Sequence, residues 1–231
     1  MVSFVFDVDG VLTNLGQTIE PKLEEDFLEW MEGKNVYLVT GSDMEKTVRQ
    51  IGIEIFSRTR ASYNCLGNSV WSNGMETKRN NFTLTDVQHL FLERQLEDSP
   101  YQIRTGNHIE ERTGVVNFSV VGRNAGHLER AHYQQWDRRY RERERICKEF
   151  MELFPEFSAS IGGMISVDIC RQGCDKGQVY DDIPKPIVFF GDRCFVGGID
   201  KPLADRCINE GDKVHVIDNF KETWEILKTY A

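Results

Sequence analysis

No cysteine of this chain stands in a C-x-x-C pair, and no histidine sits at metal-ligand spacing from one. The six cysteines (Cys65, Cys147, Cys170, Cys174, Cys194, Cys207) are scattered, which argues against zinc and predicts reduced thiols of a cytoplasmic protein. No apolar run approaches the length of a membrane span, so no membrane partner is expected. The first apolar stretch begins almost at Met1, and no signal peptide is expected ahead of it. Basic residues are not in surplus: Lys+Arg 28 against Asp+Glu 37 gives a formal net charge of −9, which argues against a nucleic-acid partner. Lys and Arg concentrated in one pocket remain compatible with small phosphorylated ligands. The chain also lacks internal repeats and low-complexity tracts. With 231 residues, 40% of them hydrophobic, it can fill one large core or two small ones.

The segment Phe4-Val5-Phe6-Asp7-Val8-Asp9-Gly10 reads as a short buried strand ending in two aspartates and a glycine turn. In extended chain, residues i and i+2 share a face, so Asp7 and Asp9 project together. Like charges that close need a cation or a proton between them. Magnesium suits the place, being a hard ion that takes carboxylate oxygens together with substrate phosphate. An aspartate free to attack phosphorus gives an aspartyl phosphate, and a second carboxylate moves the proton.

Three further apolar stretches read as parallel strands: Val36-Tyr37-Leu38-Val39 before Thr40-Gly41-Ser42, Ile187-Val188-Phe189-Phe190 before Gly191-Asp192, and Val214-His215-Val216-Ile217. Helical patterns at 22–31, 45–52 and 221–230 fall around them. Such alternation predicts an α/β fold with a parallel sheet, whose ligands lie beyond the carboxyl ends of the strands. Between 76 and 171 the pattern changes to strand-like pieces (101–104, 107–112, 115–121, 165–169) around one long charged helix at 126–153. We read residues 76–171 as an inserted α+β cap, and 1–75 with 172–231 as the core. Arg138, Arg139, Arg141, Arg143 and Arg145 alternate with Asp137, Glu142 and Glu144, the pattern of a solvated helix face.

Ser42-Asp43-Met44-Glu45 fits the S-x-x-E capping box. Lys46 follows in the first turn, where it either answers an anion bound at the strand ends or is a tolerated surface lysine. Gly173-Cys174-Asp175-Lys176 supplies a second lysine, and Gly191-Asp192 with Gly197-Gly198-Ile199-Asp200 supplies two more carboxylates. Asp192 suits a magnesium shell; Asp200 is better placed to orient Lys176 or a metal-bound water. Paired Asp, hydroxyl, Lys and acidic loop, in this order on this sheet, resemble the haloacid dehalogenase superfamily of phosphoryl-transfer enzymes. The stretch Ile109-Glu110-Glu111-Arg112-Thr113-Gly114-Val115-Val116-Asn117-Phe118-Ser119-Val120-Val121-Gly122-Arg123 resembles the C2b-type cap of eukaryotic phosphomannomutases. Gly162-Gly163-Met164-Ile165-Ser166-Val167-Asp168 is similar to the same family.

The resemblance implies a HAD-like Rossmannoid core and a definite set of roles. Asp7 is the nucleophile and Asp9 the acid/base. Asp7, Asp9 through its carbonyl, and Asp192 hold Mg2+, with Asp200 beside them. Lys46 and Lys176 steady the transferring phosphoryl group, and Thr40 and Ser42 form the hydroxyl station. Arg112, Arg123 and Arg130 grip the distal phosphate, unless they pair with Glu110, Glu111 and Glu129. Ser166 and Asp168 meet the sugar hydroxyls. The implied reaction interconverts mannose 6-phosphate and mannose 1-phosphate with a hexose 1,6-bisphosphate activator. It would feed GDP-mannose synthesis, in a homodimer paired through the caps. Gly16 stands where the family has an arginine, Val11 where it has a threonine, Thr40 where it has a glycine, and Arg206 where an acidic residue completes a second metal site. Gly16 favours the alternative reading, a Mg-dependent sugar-phosphate phosphatase on the same scaffold.

Overall fold

The computed structural model describes residues 1–230. From its amino end the chain runs β1 (Ser3–Phe6), α1 (Pro21–Trp30), β2 (Asn35–Val39), α2 (Met44–Ile51), α3 (Ile53–Arg58), β3 (Ala61–Asn64), β4 (Ser69–Ser72) and β5 (Met75–Arg79). The inserted part holds α4 (Asp86–Asp98), β6 (Ile109–Arg112), β7 (Val115–Phe118), α5 (His127–Tyr140), α6 (Glu142–Leu153), β8 (Phe157–Ile161) and β9 (Val167–Arg171). The chain closes with β10 (Ile187–Gly191), α7 (Lys201–Asn209), β11 (Lys213–Val216) and α8 (Phe220–Leu227).

Strand alternation explains the core. Phe4 and Phe6 of β1 pack with Val36, Leu38, Val188 and Phe190 on one side of the sheet, under α1 and α8. Val5 joins Tyr37, Val39, Ile187 and Phe189 on the other, against Leu203 and Ala204 of α7. Burial on both faces is what continuous apolar runs at parallel strands predict. The sheet order is β11-β10-β1-β2-β3-β4-β5, with parallel pairing from β11 to β3 and an antiparallel edge. Because β1 lies between β10 and β2, with Phe6 opposite Phe190 and Leu38, Asp7, Asp192 and Thr40 emerge side by side.

The second sheet, β6-β7-β9-β8, is antiparallel. Val116, Phe118, Val167 and Ile169 face the three helices α4, α5 and α6. The alternate residues Glu110, Asn117 and Asp168, paired in register across β6, β7 and β9, share the opposite face with Arg112. That polar face lies over the strand ends of the core. Two hydrogen bonds tie the parts there: Arg112 Nη1 donates to Gly41 O at 3.2 Å, and Ile161 N donates to Gly197 O at 2.7 Å. On the far side, buried Asn68 meets both crossings. Its carbonyl accepts from Asn80 N at 2.7 Å, and its Nδ2 donates to Cys174 O at 2.9 Å.

Several expectations need correction. β5 belongs to the larger sheet, so the chain leaves it after Arg79 rather than at 75. The long charged helix is two, because Arg141 turns left-handed (φ 52) while Asp137 accepts from Arg143 N and Nε. Residues 101–104 form no strand; Arg104 spends its guanidinium on the carbonyls of Leu96, Ser99, Tyr101 and Ile103. The cap of α2 is Asp43, whose Oδ1 accepts from Lys46 N at 2.7 Å, which leaves the Ser42 hydroxyl for another partner. β3, β4, β8, α4 and α7 were not anticipated.

Phe118 is buried at the centre of the smaller sheet. Its replacement by alanine is expected to cost ~3–5 kcal/mol by lost burial and an unfilled cavity. Urea unfolding followed by circular dichroism checks this; an unchanged midpoint contradicts a core at that position.

Candidate active site

Asp7 is buried at the end of β1, its Oδ1 accepting from Val8 N at 2.8 Å. The ammonium of Lys176 lies 3.0 Å from that oxygen and 2.6 Å from Asp200 Oδ1, with no solvent exposure of the side chain. The second oxygen of Asp200 accepts from Arg193 N at 2.9 Å. Asp200 is thereby committed to holding Lys176 and the loop after β10. Carboxylate oxygens of Asp7, Asp192 and Asp200 lie within 4.8 Å of one another. Gly10 permits the approach: its φ is +87°, and a Cβ there would meet Asp192 Oδ2 at 2.7 Å.

Asp9 points elsewhere. Its Oδ2 accepts from Lys46 Nζ at 2.8 Å, and its Oδ1 from Gly16 N at 2.7 Å and Gln50 Nε2 at 2.8 Å. Lys46 also donates to Ser42 Oγ at 2.8 Å, while Thr40 Oγ1 accepts from Ser42 N at 3.1 Å. Lys46 is thus no idle surface lysine; it links the hydroxyl station to Asp9. The Asp9 carboxylate does not join the cluster of the other three.

The electrostatics follow from this geometry. Burial pushes the Asp7 carboxyl up to about 7, against the opposing pull of Lys176. Burial likewise pushes Asp192 up to about 8, opposed by Arg193 and reinforced by Asp200. Burial acts to raise Asp9 as well, but the charge and hydrogen bond of Lys46, with Gly16 N and Gln50, hold it below its ordinary value. Burial works against the charge of Lys176, yet Asp200 and Asp7 raise its pKa overall. Asp192 Oδ1 is buried without a hydrogen-bond partner. Crowded carboxylates, one with an orphaned oxygen, fit a hard divalent cation held by Asp7 and Asp192.

The cap brings the arginines to the same cavity, of about 540 Å³, which is lined by Asp7, Asp9, Thr40, Ser42, Lys46, Arg112, Arg123, Arg130, Ser166, Asp168 and Lys176. Glu110 accepts from Arg112 Nε and Nη2 at 3.1 and 3.0 Å, and from Arg123 Nε at 2.7 Å. The glutamate pairing weighed above is therefore present for two arginines, and one carboxylate serves both. Burial works to raise Glu110, but Arg112 and Arg123 bring it down to about 2. Arg130 instead donates to the carbonyls of Ala125 and Arg123, at 2.7 and 2.5 Å. Asp168 accepts from Asn117 Nδ2; burial raises its carboxyl against the pull of Arg112 and Arg123. Ser166 lies on a loop that Arg143 braces, donating from Nη1 to Gly163 O at 3.0 Å and Ser166 O at 3.4 Å.

Four contributors were not foreseen: Gln50, Arg193, Asn117 and His127 reach the site or its lining. Gln50 carried a usable signal, one helical turn beyond Lys46. Asn117 carried another, directly across the pairing from Asp168. Arg206 donates to both Asp181 oxygens, at 2.9 and 2.7 Å, and lies over Tyr180. A guanidinium thus ties α7 to the segment Lys176–Asp182 where the resemblance had an acidic residue. Among the described residues no helix is long and apolar enough to cross a membrane, and the six cysteines are unpaired.

Comparison with known proteins gives the family of the chain. The family model described as "Eukaryotic phosphomannomutase" matches residues 24–229. A phosphomannomutase of Dendrobium officinale is 32% identical over 230 residues, covering 94% of this chain and 90% of that protein. One of Saccharomyces cerevisiae is 29% identical over 235 residues, covering 96% and 91%. Among solved structures, an IMP-bound IMP-nucleotidase of Plasmodium falciparum superposes with TM-score 0.66 at 15% identity, over 98% of this chain and 67% of that one. A trehalose-6-phosphate phosphatase related protein gives 0.59 at 18% identity, over 99% and 96%. These two show that the chain shares their fold.

Without a cation, Asp7 and Asp192 stabilise the fold only while protonated, and this is lost as pH rises through about 7 to 8. A bound cation takes the proton's place. The rise in Tm on adding Mg2+ is therefore expected to be larger at pH 8.5 than at pH 6. A rise that is the same at both, or confined to pH 6, contradicts the cation site.

Proposed function

Since this chain belongs to the eukaryotic phosphomannomutase family, we propose that it interconverts mannose 6-phosphate and mannose 1-phosphate by phosphoryl transfer through Asp7. The observation that carries this reading is one cavity that takes cationic groups from both parts of the molecule: Lys46 and Lys176, bonded to Asp9 and Asp7, from the core, and Arg112, Arg123 and Arg130 from the insert. A hexose bisphosphate needs both sets at once.

An oxygen of Asp7 attacks the near phosphorus while the bond to the sugar oxygen breaks, giving an aspartyl phosphate. Asp9, held charged by Lys46, takes the proton of the hexose hydroxyl that attacks the aspartyl phosphate and, in the reverse step, returns it to the departing sugar oxygen. Lys176 offsets the charge that collects beside Asp7, and does so away from water, where such compensation is strongest. Mg2+ held by Asp7 and Asp192, with the Asp9 carbonyl, would supply further positive charge to the transferring phosphoryl oxygens. At the other end the planar guanidinium groups are suited to paired hydrogen bonds with the non-reacting phosphate, and Glu110 fixes two of them in place. Ser166 and Asp168 are assigned to the sugar hydroxyls. The hexose bisphosphate turns over between half-reactions, so that either phosphate meets Asp7. Unpaired cysteines support a reducing, cytoplasmic setting, and pairing of two chains through the cap belongs to the same proposal.

One observation favours a phosphatase instead. Gly16 holds a left-handed φ of +72°, with no atom within 4 Å of where its Cβ would be, so at this position of the cavity wall the ligand meets no side chain. The test uses purified protein, Mg2+ and mannose 1-phosphate, with and without a hexose 1,6-bisphosphate. Bisphosphate-dependent mannose 6-phosphate with little free phosphate is the expected result. Free phosphate without isomer contradicts it and supports the phosphatase.

Arg123→Ala removes a phosphate anchor and frees Glu110 from one partner. It is expected to lower kcat/KM for mannose 1-phosphate roughly 10- to 100-fold, the worth of a charged hydrogen bond. Hydrolysis of a small aryl phosphate, which has no distal phosphate, is expected to stay within about threefold. Equal losses on both substrates make Arg123 a structural residue.

A further inference from the structure

Gln50 is the least expected group near the reacting centre. It lies one turn after Lys46 on α2, so the two side chains leave the same helix face. Both end on Asp9, Lys46 on Oδ2 and Gln50 on Oδ1, where Gly16 N adds a third donor. The Gln50 amide has one possible orientation. Its nitrogen faces two acceptors, Asp9 Oδ1 at 2.8 Å and Gln17 O at 3.3 Å, and the reverse orientation would set oxygen against oxygen. Its own Oε1 is then left buried without a partner. A structural amide is not ordinarily kept at that cost. The main chain of Gln50 braces the same loop, its carbonyl accepting from Ile19 N at 2.7 Å.

The three donors turn Asp9 toward α2, while the oxygens of Asp7, Asp192 and Asp200 gather separately. An Asp9 so held is not free to take a proton from an oxygen attacking phosphorus on Asp7. Resting on the mutase reading above, we propose that Gln50 is a positioning residue that restrains hydrolysis of the aspartyl phosphate. It holds Asp9 aside until a hexose hydroxyl, fixed by the cap, competes for the carboxylate. In the restrained reaction a water oxygen bonds to phosphorus, the bond from phosphorus to Asp7 breaks, and the water proton passes to Asp9. Inorganic phosphate leaves and the Asp7 carboxylate is restored. Holding the base aside while no hexose is seated separates a mutase from a phosphatase without altering a single reacting group.

The experiment compares wild type with Gln50→Met, which keeps length and removes the donor, and Gln50→Glu, which keeps shape and sets an acceptor against Asp9. Full-length protein with Mg2+ and a hexose 1,6-bisphosphate alone is assayed for free phosphate. The same mixture with mannose 1-phosphate is assayed for isomer. Both variants are expected to release phosphate about tenfold faster than wild type, the loss of one hydrogen bond to a charged group. KM for mannose 1-phosphate is expected to stay within about twofold. A structural role lowers hydrolysis and isomerisation together, and that result overturns the proposal. Wild-type protein that forms no isomer overturns the mutase reading alone. The clamp is then judged by phosphate release, which must still be faster in the variants. If Gln50→Met fails to fold, Gln50→Glu decides by the same measure.

Discussion

An ammonium group without solvent contact, 3.0 Å from one aspartate and 2.6 Å from another, needs every neighbour in place. Taking Lys176 and its two partners out of water is costly, and their attraction offsets this only when the geometry is good and the remaining oxygens are bonded. Asp200 meets both conditions, spending its other oxygen on Arg193 N, whereas Asp7 takes Lys176 and Val8 N on the same oxygen, Oδ1. The pairing of β1 with β10 sets the spacing between Asp7 and Asp192. Remove the lysine, and two buried carboxylates face each other with nothing between them. The sheet order, the glycine at position 10 and the loop after β10 all serve this one arrangement.

The cap solves a related problem at lower density. Its arginines must stay cationic and oriented while waiting for phosphate, and Glu110 does this for two of them with one carboxylate. The period of two along β6, β7 and β9 places Glu110, Arg112, Asn117 and Asp168 on the face opposite the helices. A polar sheet face is thereby laid over polar strand ends. The cavity is what remains between two surfaces that neither part could bury alone.

The readable parts of the sequence are those where one local pattern sufficed. β1, β2, β10 and β11 are apolar runs buried on both faces, and they stood out as such. β3, with sequence Ala-Ser-Tyr-Asn, has no such run, because its small residues are buried by neighbouring strands rather than by their own hydrophobicity. The break at Arg141 carries no glycine or proline; the Asp137 side chain, several residues away, stabilises it. The Asp7 and Asp192 stations were legible because strand ends expose chemistry at fixed places. The partners were not: Glu110 serving two arginines and Gln50 serving Asp9 are choices among several possible acceptors and donors, and only the packing makes them. The same holds for Ser42. Its hydroxyl looked like a helix cap and is instead the second acceptor of Lys46.

Asn68 has a consequence for how the insert is mounted. Both covalent crossings between the two parts of the molecule are fastened to this one residue, one through its main-chain carbonyl and one through its side-chain amide. Further bonds, at Arg79 with Thr113, Arg112 with Gly41 and Ile161 with Gly197, join the two parts away from it. The cavity is thus closed by contacts at several places, and the paired crossings share an anchor that belongs to the core and takes no part in lining the cavity.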